Sequence, residues 1–495
     1  MLPKKSSHTL WYLLIMLLCL HVFFINIKDS HDWGDDFAQY IHQAKNITKG
    51  ISQMETGFIF NKDFPLYSPP AYFMGFPLLL APVYAVAGND IAAFSFLISA
   101  FLFLSALIFF RFFNSYFSSF SSCLLVLIIL YNPWILNFKM EIASDIPFTF
   151  FLFFGTLFYI ASKKSFSSLV VTGIIAGFLV STRNIGISFV VAVILNEVFV
   201  FNRQKVKNKK LLFQRGIIFL LTGAGFFALI NHVIFDIPFL NFKSSGSLFT
   251  FEDLYKTILK NINYYFDVFQ SIFNSHPENI YSLFSTLIKS IILSLVLLGF
   301  YLRIKRGIEY IDILLIVYMA ILYIYPYSSA GFRFLIPVAP ILLLYATGGL
   351  YFLMDALKWK KKIIYSLCII SFFAVYKYEW EIVLDKQDIV EPGPQRMDAG
   401  EAFDFIHSHT EKNARILFKK PRALALYTDR NCFVNNPDRP GSDLQIQLTE
   451  FNIGYILINE ELSDNAIKNF VSKNPGKVQL LWNNTSFRFY RINKS

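Results

Sequence analysis

YFMGFPLLLAPVYAVAG, residues 72–88, is the stretch on which the fold turns. It is apolar enough to tempt a membrane crossing. Counting it as one would invert every later loop. It also carries Pro77 and Pro82, and it follows Pro69-Pro70. Proline removes a backbone donor and disturbs a helix interior. Irregular backbone at membrane depth needs protein or water beside it. The stretch therefore reads as an interfacial or re-entrant piece.

Outward from it, about eleven apolar runs qualify as spans of roughly 20 residues. They lie near 9–27, 91–110, 119–136, 147–162, 165–182, 185–202, 214–235, 284–302, 309–326, 334–355 and 362–378. The first resembles a signal peptide, but no clear small-x-small cleavage site precedes residue 30, so a retained span is expected. With the N-terminus inside, 18 of the 30 cations of residues 1–377 fall in inner loops. The 203–215 loop alone has Arg203, Lys205, Lys207, Lys209, Lys210 and Arg215. That is the positive-inside pattern.

Composition agrees. Of 495 residues, 55% are hydrophobic and only 16% charged. Disorder is excluded by the apolar content. The net charge of +11 does not point to nucleic acid, because residues 1–377 carry +12 and residues 378–495 carry −1. Four cysteines give no disulfide scaffold.

The expected fold is mainly α: a polytopic membrane helix bundle over 1–378 with a small extracytoplasmic α/β domain over 379–495. An outer loop, 28–75, follows the first span. In the C-terminal segment Ala399–His409 reads as a helix, and RILF (415–418), 431–434 and YILIN (455–459) as strands. Residues 462–471 look helical, and 477–481 with 487–492 could form a hairpin. Glu391-Pro-Gly-Pro394 signals a linker.

Chemistry-bearing residues collect on the outer side. Loop 28–75 opens HDWGDDFAQYIHQAKNITKG, residues 31–50. Asp35 and Asp36 stand at the start of a helical pattern, where one of them could simply cap it. After the third span come Lys139, Glu141 and Asp145. Glu141 and Asp145 share a face if that stretch is helical; pairing with Lys139 is the plainer alternative. Arg183 in STRNIG and Arg333 in SSAGFRFLIPVAP are cations on the side the charge rule disfavours. Guanidinium suits phosphate oxygens, and snorkelling to lipid headgroups is the plainer alternative. There is no GxxxxGK[ST], HExxH, GxSxG or zinc-type spacing. His31 and His42 are too sparse to suggest a metal site.

Together these segments resemble the GT-C superfamily of integral membrane glycosyltransferases. The likeness is to the glycosyltransferase family 39 type, with its protein O-mannosyltransferases and lipid A aminoarabinose transferase. The residues are Asp35-Asp36-Phe37-Ala38-Gln39-Tyr40 through Gly50, Tyr67-Ser68-Pro69-Pro70 with Phe76-Pro77-Leu78-Leu79, Glu141-Ile-Ala-Ser-Asp145, and Arg333-Phe334-Leu335-Ile336-Pro337. The family pair is often Asp-Glu where this chain has Asp-Asp.

The resemblance implies a sugar donor on a polyprenyl phosphate and inverting transfer to an acceptor hydroxyl at the outer face. The acceptor could be a lipid, a glycan or a protein. It implies Asp35 as general base with Asp36 beside it, and Arg333, then Arg183, on the donor phosphate. Glu141 and Asp145 would orient the acceptor or hold a cation. No cofactor is required; a divalent cation is compatible. A bacterial inner membrane suits the chain. The competing readings are a lipid-linked sugar flippase, with Glu197 and Asn231 as its nearest mid-span polar groups, a glycan polymerase or ligase using lipid diphosphate donors, and a non-catalytic scaffold. The mixed segment PRALALYTDR (421–430) is expected to recognise the acceptor, cover the site, or form a solvated lid.

Overall fold

A computed structural model describes residues 6–61, 64, 71–162, 165–204, 209–237, 251–271, 281–325, 331–358, 361–385, 390–436 and 441–493. The basic stretch 205–208 and Pro69-Pro70 lie outside them. The protein is mainly helical, with one mixed sheet. Each of the eleven expected spans falls on a helix. Among the described residues five helices are long and apolar enough to cross a membrane, and six shorter apolar helices accompany them.

Seven helices hold the side chains that matter for chemistry: α1 (Asp35–Lys49), α2 (Gly75–Ala87), α3 (Asp145–Ser162), α4 (Phe166–Thr182), α5 (Phe251–Ser271), α6 (Tyr310–Ile324) and α7 (Pro421–Thr428). The pivotal stretch 72–88 forms α2. Its 13 residues extend about 20 Å, short of the roughly 30 Å hydrocarbon core. Glu141 and Asp145 do not share a helix face. The chain turns through 139–144, and α3 begins only at Asp145.

The chain divides into two compact units, and neither is a continuous segment. One comprises 1–27, 95–230 and 247–387; the other comprises 28–94, 231–246 and 388–495.

In the first unit, long helices pack through small residues, which let backbones approach closely in a membrane bundle. A Cβ on Gly299 would lie 1.9 Å from the Tyr345 carbonyl oxygen, so Tyr281–Arg306 and Ala339–Ala356 meet backbone to backbone. Gly177 of α4 plays the same part: a Cβ there would lie 2.3 Å from the Gly223 carbonyl oxygen. At one end of this unit Asp312 is fully buried and accepts from Arg303 Nε and Tyr345 Oη, both at 2.7 Å. The helix Lys361–Asp385 is unbroken across residue 378.

The second unit is built on a six-stranded sheet: β1 (Phe58–Ile59), β2 (Arg415–Leu417), β3 (Asn431–Phe433), β4 (Tyr455–Asn459), β5 (Val478–Asn483) and β6 (Phe487–Ile492). Their spatial order is β1-β3-β2-β4-β6-β5. The first four in that order are parallel, and β6 is antiparallel to β4 and β5. Strand alternation splits the core between two faces. Ile416 and Leu457 pack against helix Met397–His409, while Leu417 and Ile456 join Leu448 and Phe470 on the other face.

The expected C-terminal strands and hairpin correspond to β2–β6. Three elements of this unit went unforeseen. Two are helices: α7, which begins with Pro421 at its first position, and Gly441–Glu450. The third is β1, donated by the loop after the first span. That loop is tied in at several further points. Trp33 inserts among Phe403, Phe418 and Phe487. Lys28 pairs with Glu391 and Lys45 with Asp429. Asn61 Nδ2 donates to the Val434 carbonyl at 3.0 Å. The Lys45 ammonium holds the Asp429 carboxyl below its usual range although burial opposes this. His42, buried and next to Lys45, is pushed down to about 4 by burial first and by that cation second.

Candidate functional site

In the second unit the acidic pair begins α1. Gly34 is the cap residue and offers no side chain. Asp35 and Asp36 therefore occupy the first turn, where the helix dipole favours anions. Asp32, just before, accepts from the Gly34 amide at 2.7 Å and lies 3.0 Å from His31 Nδ1. Burial would raise the Asp32 carboxyl, but His31 and Gly34 together hold it below its usual value.

Helix α7 runs into this turn. Its own cap residue, Lys420, makes no side-chain cap. The first amides of any helix need acceptors from elsewhere. Here the Ala423 amide donates to Asp35 Oδ1 at 3.1 Å, and the Arg422 amide reaches Oδ2 at 3.5 Å. Asp35 thus caps α7.

Asp36 has a different role. Tyr72 Oη donates to its Oδ1 at 2.7 Å, and Arg422 Nη1 lies 3.4 Å from the same oxygen. Arg422 Nη1 also donates to Tyr72 Oη at 2.9 Å. The guanidinium lies over Phe58 at 5.0 Å and Tyr72 at 5.2 Å. Tyr72 is itself clamped: its amide donates to Gln43 Oε1 at 2.9 Å, and its carbonyl accepts from Gln43 Nε2 at 2.8 Å. Arg422 is 1% exposed, whereas the Asp36 side chain is 45% exposed. The network is rigid behind Asp36 and open in front of it.

Sequence reasoning singled out residues 421–430 without recognising Arg422. The segment is no solvated lid, because α7 is largely buried. The usable signal was a lone Arg within PRALAL, an apolar stretch that cannot bury a cation without an acidic partner.

In the first unit a second constellation centres on Asp145, 1% exposed at the start of α3. Arg183, at the end of α4, places Nη1 2.7 Å from Asp145 Oδ1 and donates to Ser144 Oγ at 3.1 Å. Arg333 lies in the 3-10 segment Gly331–Val338, with Nε 3.6 Å from Asp145 Oδ2. Both guanidinium groups flank the Phe334 ring, at 5.0 and 5.7 Å. Tyr318 of α6 steadies that segment by donating to the Phe334 carbonyl at 2.9 Å. Asp145 is thus an anion shared by two guanidinium groups. The Arg183 side chain is 12% exposed and that of Arg333 30%. Neither is a simple lipid snorkeller.

Lys139 is not the partner of these acids. It is fully buried and donates to the Asn26 carbonyl and Ser99 Oγ, both at 3.3 Å. Burial pushes its ammonium down to about 8. Glu141 lies half-buried in the turn, its carbonyl accepting from the Ala143 amide.

Glu197 and Asn231, the residues a transporter would need, have structural partners. Glu197 pairs with Arg215 at 3.3 Å and accepts from Tyr159 Oη at 3.0 Å. Asn231 Oδ1 accepts from the Met74 amide at 2.9 Å.

No family model and no curated protein matches the sequence. Solved structures do match the fold. ArnT from Cupriavidus metallidurans bound to undecaprenyl phosphate superimposes with a TM-score of 0.56 at 10% identity, over 98% of this chain and 98% of that one. The oligosaccharyltransferase AglB from Archaeoglobus fulgidus, in complex with an inhibitory peptide and a dolichol-phosphate, gives 0.56 at 11% identity over 93% of this chain and 70% of that one. The Archaeoglobus fulgidus oligosaccharyltransferase tethered to an acceptor peptide gives 0.57 at 12% identity over 99% and 74%. Through these matches the chain is shown to share the fold of ArnT and of the Archaeoglobus fulgidus oligosaccharyltransferase.

Proposed function

We propose that the protein transfers a sugar from a polyprenyl-phosphate-linked donor to an acceptor hydroxyl, at the extracytoplasmic face of the membrane and with inversion. The observation that carries this reading is the pair Arg183 and Arg333 gathered on one buried carboxylate. A pair of guanidinium groups suits the oxygens of a lipid phosphate, a diester in the donor and a monoester once the sugar has left, better than a neutral ligand. The likeness in fold to ArnT bound to undecaprenyl phosphate supports the same donor class.

The chemistry divides into two tasks. The acceptor O–H must lose its proton as its oxygen bonds to the anomeric carbon. The bond from that carbon to the phosphate oxygen breaks, and the electron pair leaves with the lipid phosphate. Cations fixed in advance stabilise that charge. Arg333 and Arg183 take this role, and Asp145 acts as the positioning residue that holds them. Because Asp145 is occupied by two guanidinium groups, it does not suit a metal ion.

The proton goes to Asp36. Asp35 is engaged as the cap of α7 by the amides of Ala423 and Arg422. The Asp36 side chain is 45% exposed. A general base contributes about 10²–10⁴-fold. Asp36→Asn is therefore expected to cut transfer from a synthetic polyprenyl-phosphate sugar by about 10³-fold. Asp35→Asn keeps a carbonyl acceptor for α7 and should lose no more than about tenfold. The reverse ranking would hand the base role to Asp35. Full activity of both variants would end the transferase reading.

A further inference from the structure

Helix α5 has three faces rather than two. At 100° per residue, Asn261, Tyr264, Tyr265 and Val268 fall on one side, buried or half-buried against protein. Glu252, Asp253, Lys256, Lys260, Asn263 and Asp267 occupy another sector of about 100°, all exposed. Between them, Phe251, Tyr255, Leu259, Ile262 and Phe266 form a stripe about 80° wide. These five are 41–87% exposed. A helix in water with one protein neighbour shows an apolar and a polar face. A second apolar face calls for a second non-aqueous neighbour.

Charge and position identify that neighbour. With five charged side chains α5 is too polar to cross a bilayer. Its charges nearly balance, so no strongly charged partner is indicated. The packed face is fastened to the end of the apolar helix α6. Asn261 Nδ2 donates to the carbonyls of Leu322, Tyr323 and Tyr325 at 3.2, 2.9 and 2.6 Å. There Ile324 and Tyr325 are 50% and 39% exposed, so apolar surface is also open at the end of α6 to which α5 is fastened. The same packed face carries Tyr264, whose Oη accepts from the Gly331 amide at 2.6 Å, two residues before Arg333.

We propose that α5 is an interfacial helix whose apolar stripe rests in the boundary between lipid headgroups and acyl chains. Its seat there sets the height of the Gly331–Arg333 turn at the membrane surface. The second statement rests on reading Arg333 as a donor-phosphate ligand, since a polyprenyl phosphate presents its headgroup at that depth.

The test uses the full chain in vesicles of phosphatidylethanolamine and phosphatidylglycerol. Nitroxide labels are placed at Leu259→Cys, Ile262→Cys, Lys256→Cys and Asn263→Cys. Labels at 259 and 262 should collide with oxygen at least about threefold more than with a water-soluble nickel complex, and labels at 256 and 263 the reverse. Equal accessibility on both sectors would overturn the seat. So would spin–spin broadening at 259 and 262, which would mean that a second copy covers the stripe. Leu259→Asp combined with Ile262→Asp should raise the donor KM about tenfold and leave kcat within about twofold. An unchanged KM would remove the link to Arg333. The labelling result holds or fails whether or not sugar transfer is found.

Discussion

Asp145→Asn will destabilise the membrane unit by about 3 kcal/mol, because it leaves Arg183 and the partly exposed Arg333 without their shared counter-charge. Asp145 is 1% exposed and is the shared anion of Arg183 and Arg333. Asn fills the same volume and keeps polar atoms, so packing is preserved and charge alone is removed. Melting of the purified protein in detergent measures the loss. The same variant is expected to respond to anions: inorganic phosphate should recover part of the lost stability, because it supplies negative charge where the carboxylate stood. Wild-type protein, which keeps the Asp145 carboxylate at that point, should gain less. A variant that melts with wild type would show that the two guanidinium groups do not depend on Asp145.

Arg422→Ala is expected to reduce kcat by about 10²-fold or more while leaving the donor KM nearly unchanged, since it disturbs Asp36, the base we propose for the acceptor proton. Its guanidinium is buried over Phe58 and Tyr72 and reaches both Tyr72 Oη and Asp36. Without it the acid loses a fixed rotamer, and a cavity opens behind it. The stability cost is about 2–3 kcal/mol from lost packing and hydrogen bonds. Arg422→Lys separates the two effects. Lysine restores charge but not the planar fork, so about a tenfold deficit in kcat should persist after stability has largely recovered. A donor KM that rises with kcat unchanged would place Arg422 outside the acceptor chemistry.

The spans were legible because hydropathy is a local property. Each apolar run needed only its own residues and the cations at its ends. The acids were legible as a doublet at a helix start. Their division of labour was not, because it depends on α7, nearly four hundred residues later in the chain. The partner of Asp145 was equally hidden. Sequence proximity suggests Lys139, yet the turn over 139–144 sends that side chain to Asn26 and Ser99. The cations that reach Asp145 come from the end of α4 and from the segment after α6. The contacts of Arg422 were invisible for the same reason. Its partners, Phe58, Tyr72 and Asp36, all belong to a segment read as a separate outer loop.

That arrangement bears on how the protein is made. Phe58 in β1 pairs with Cys432 in β3, and the Asp35 carboxylate meets the amide of Ala423. A ribosome delivers the first of each pair long before the second. Closing so long a loop is slow, and nothing rewards it until the distal partner exists. The nascent chain must therefore carry an unassembled acidic turn through nearly all of its synthesis. A product released early could insert its helices yet have no ordered acid. Completion of the polypeptide thus acts as the enabling step for this half of the protein.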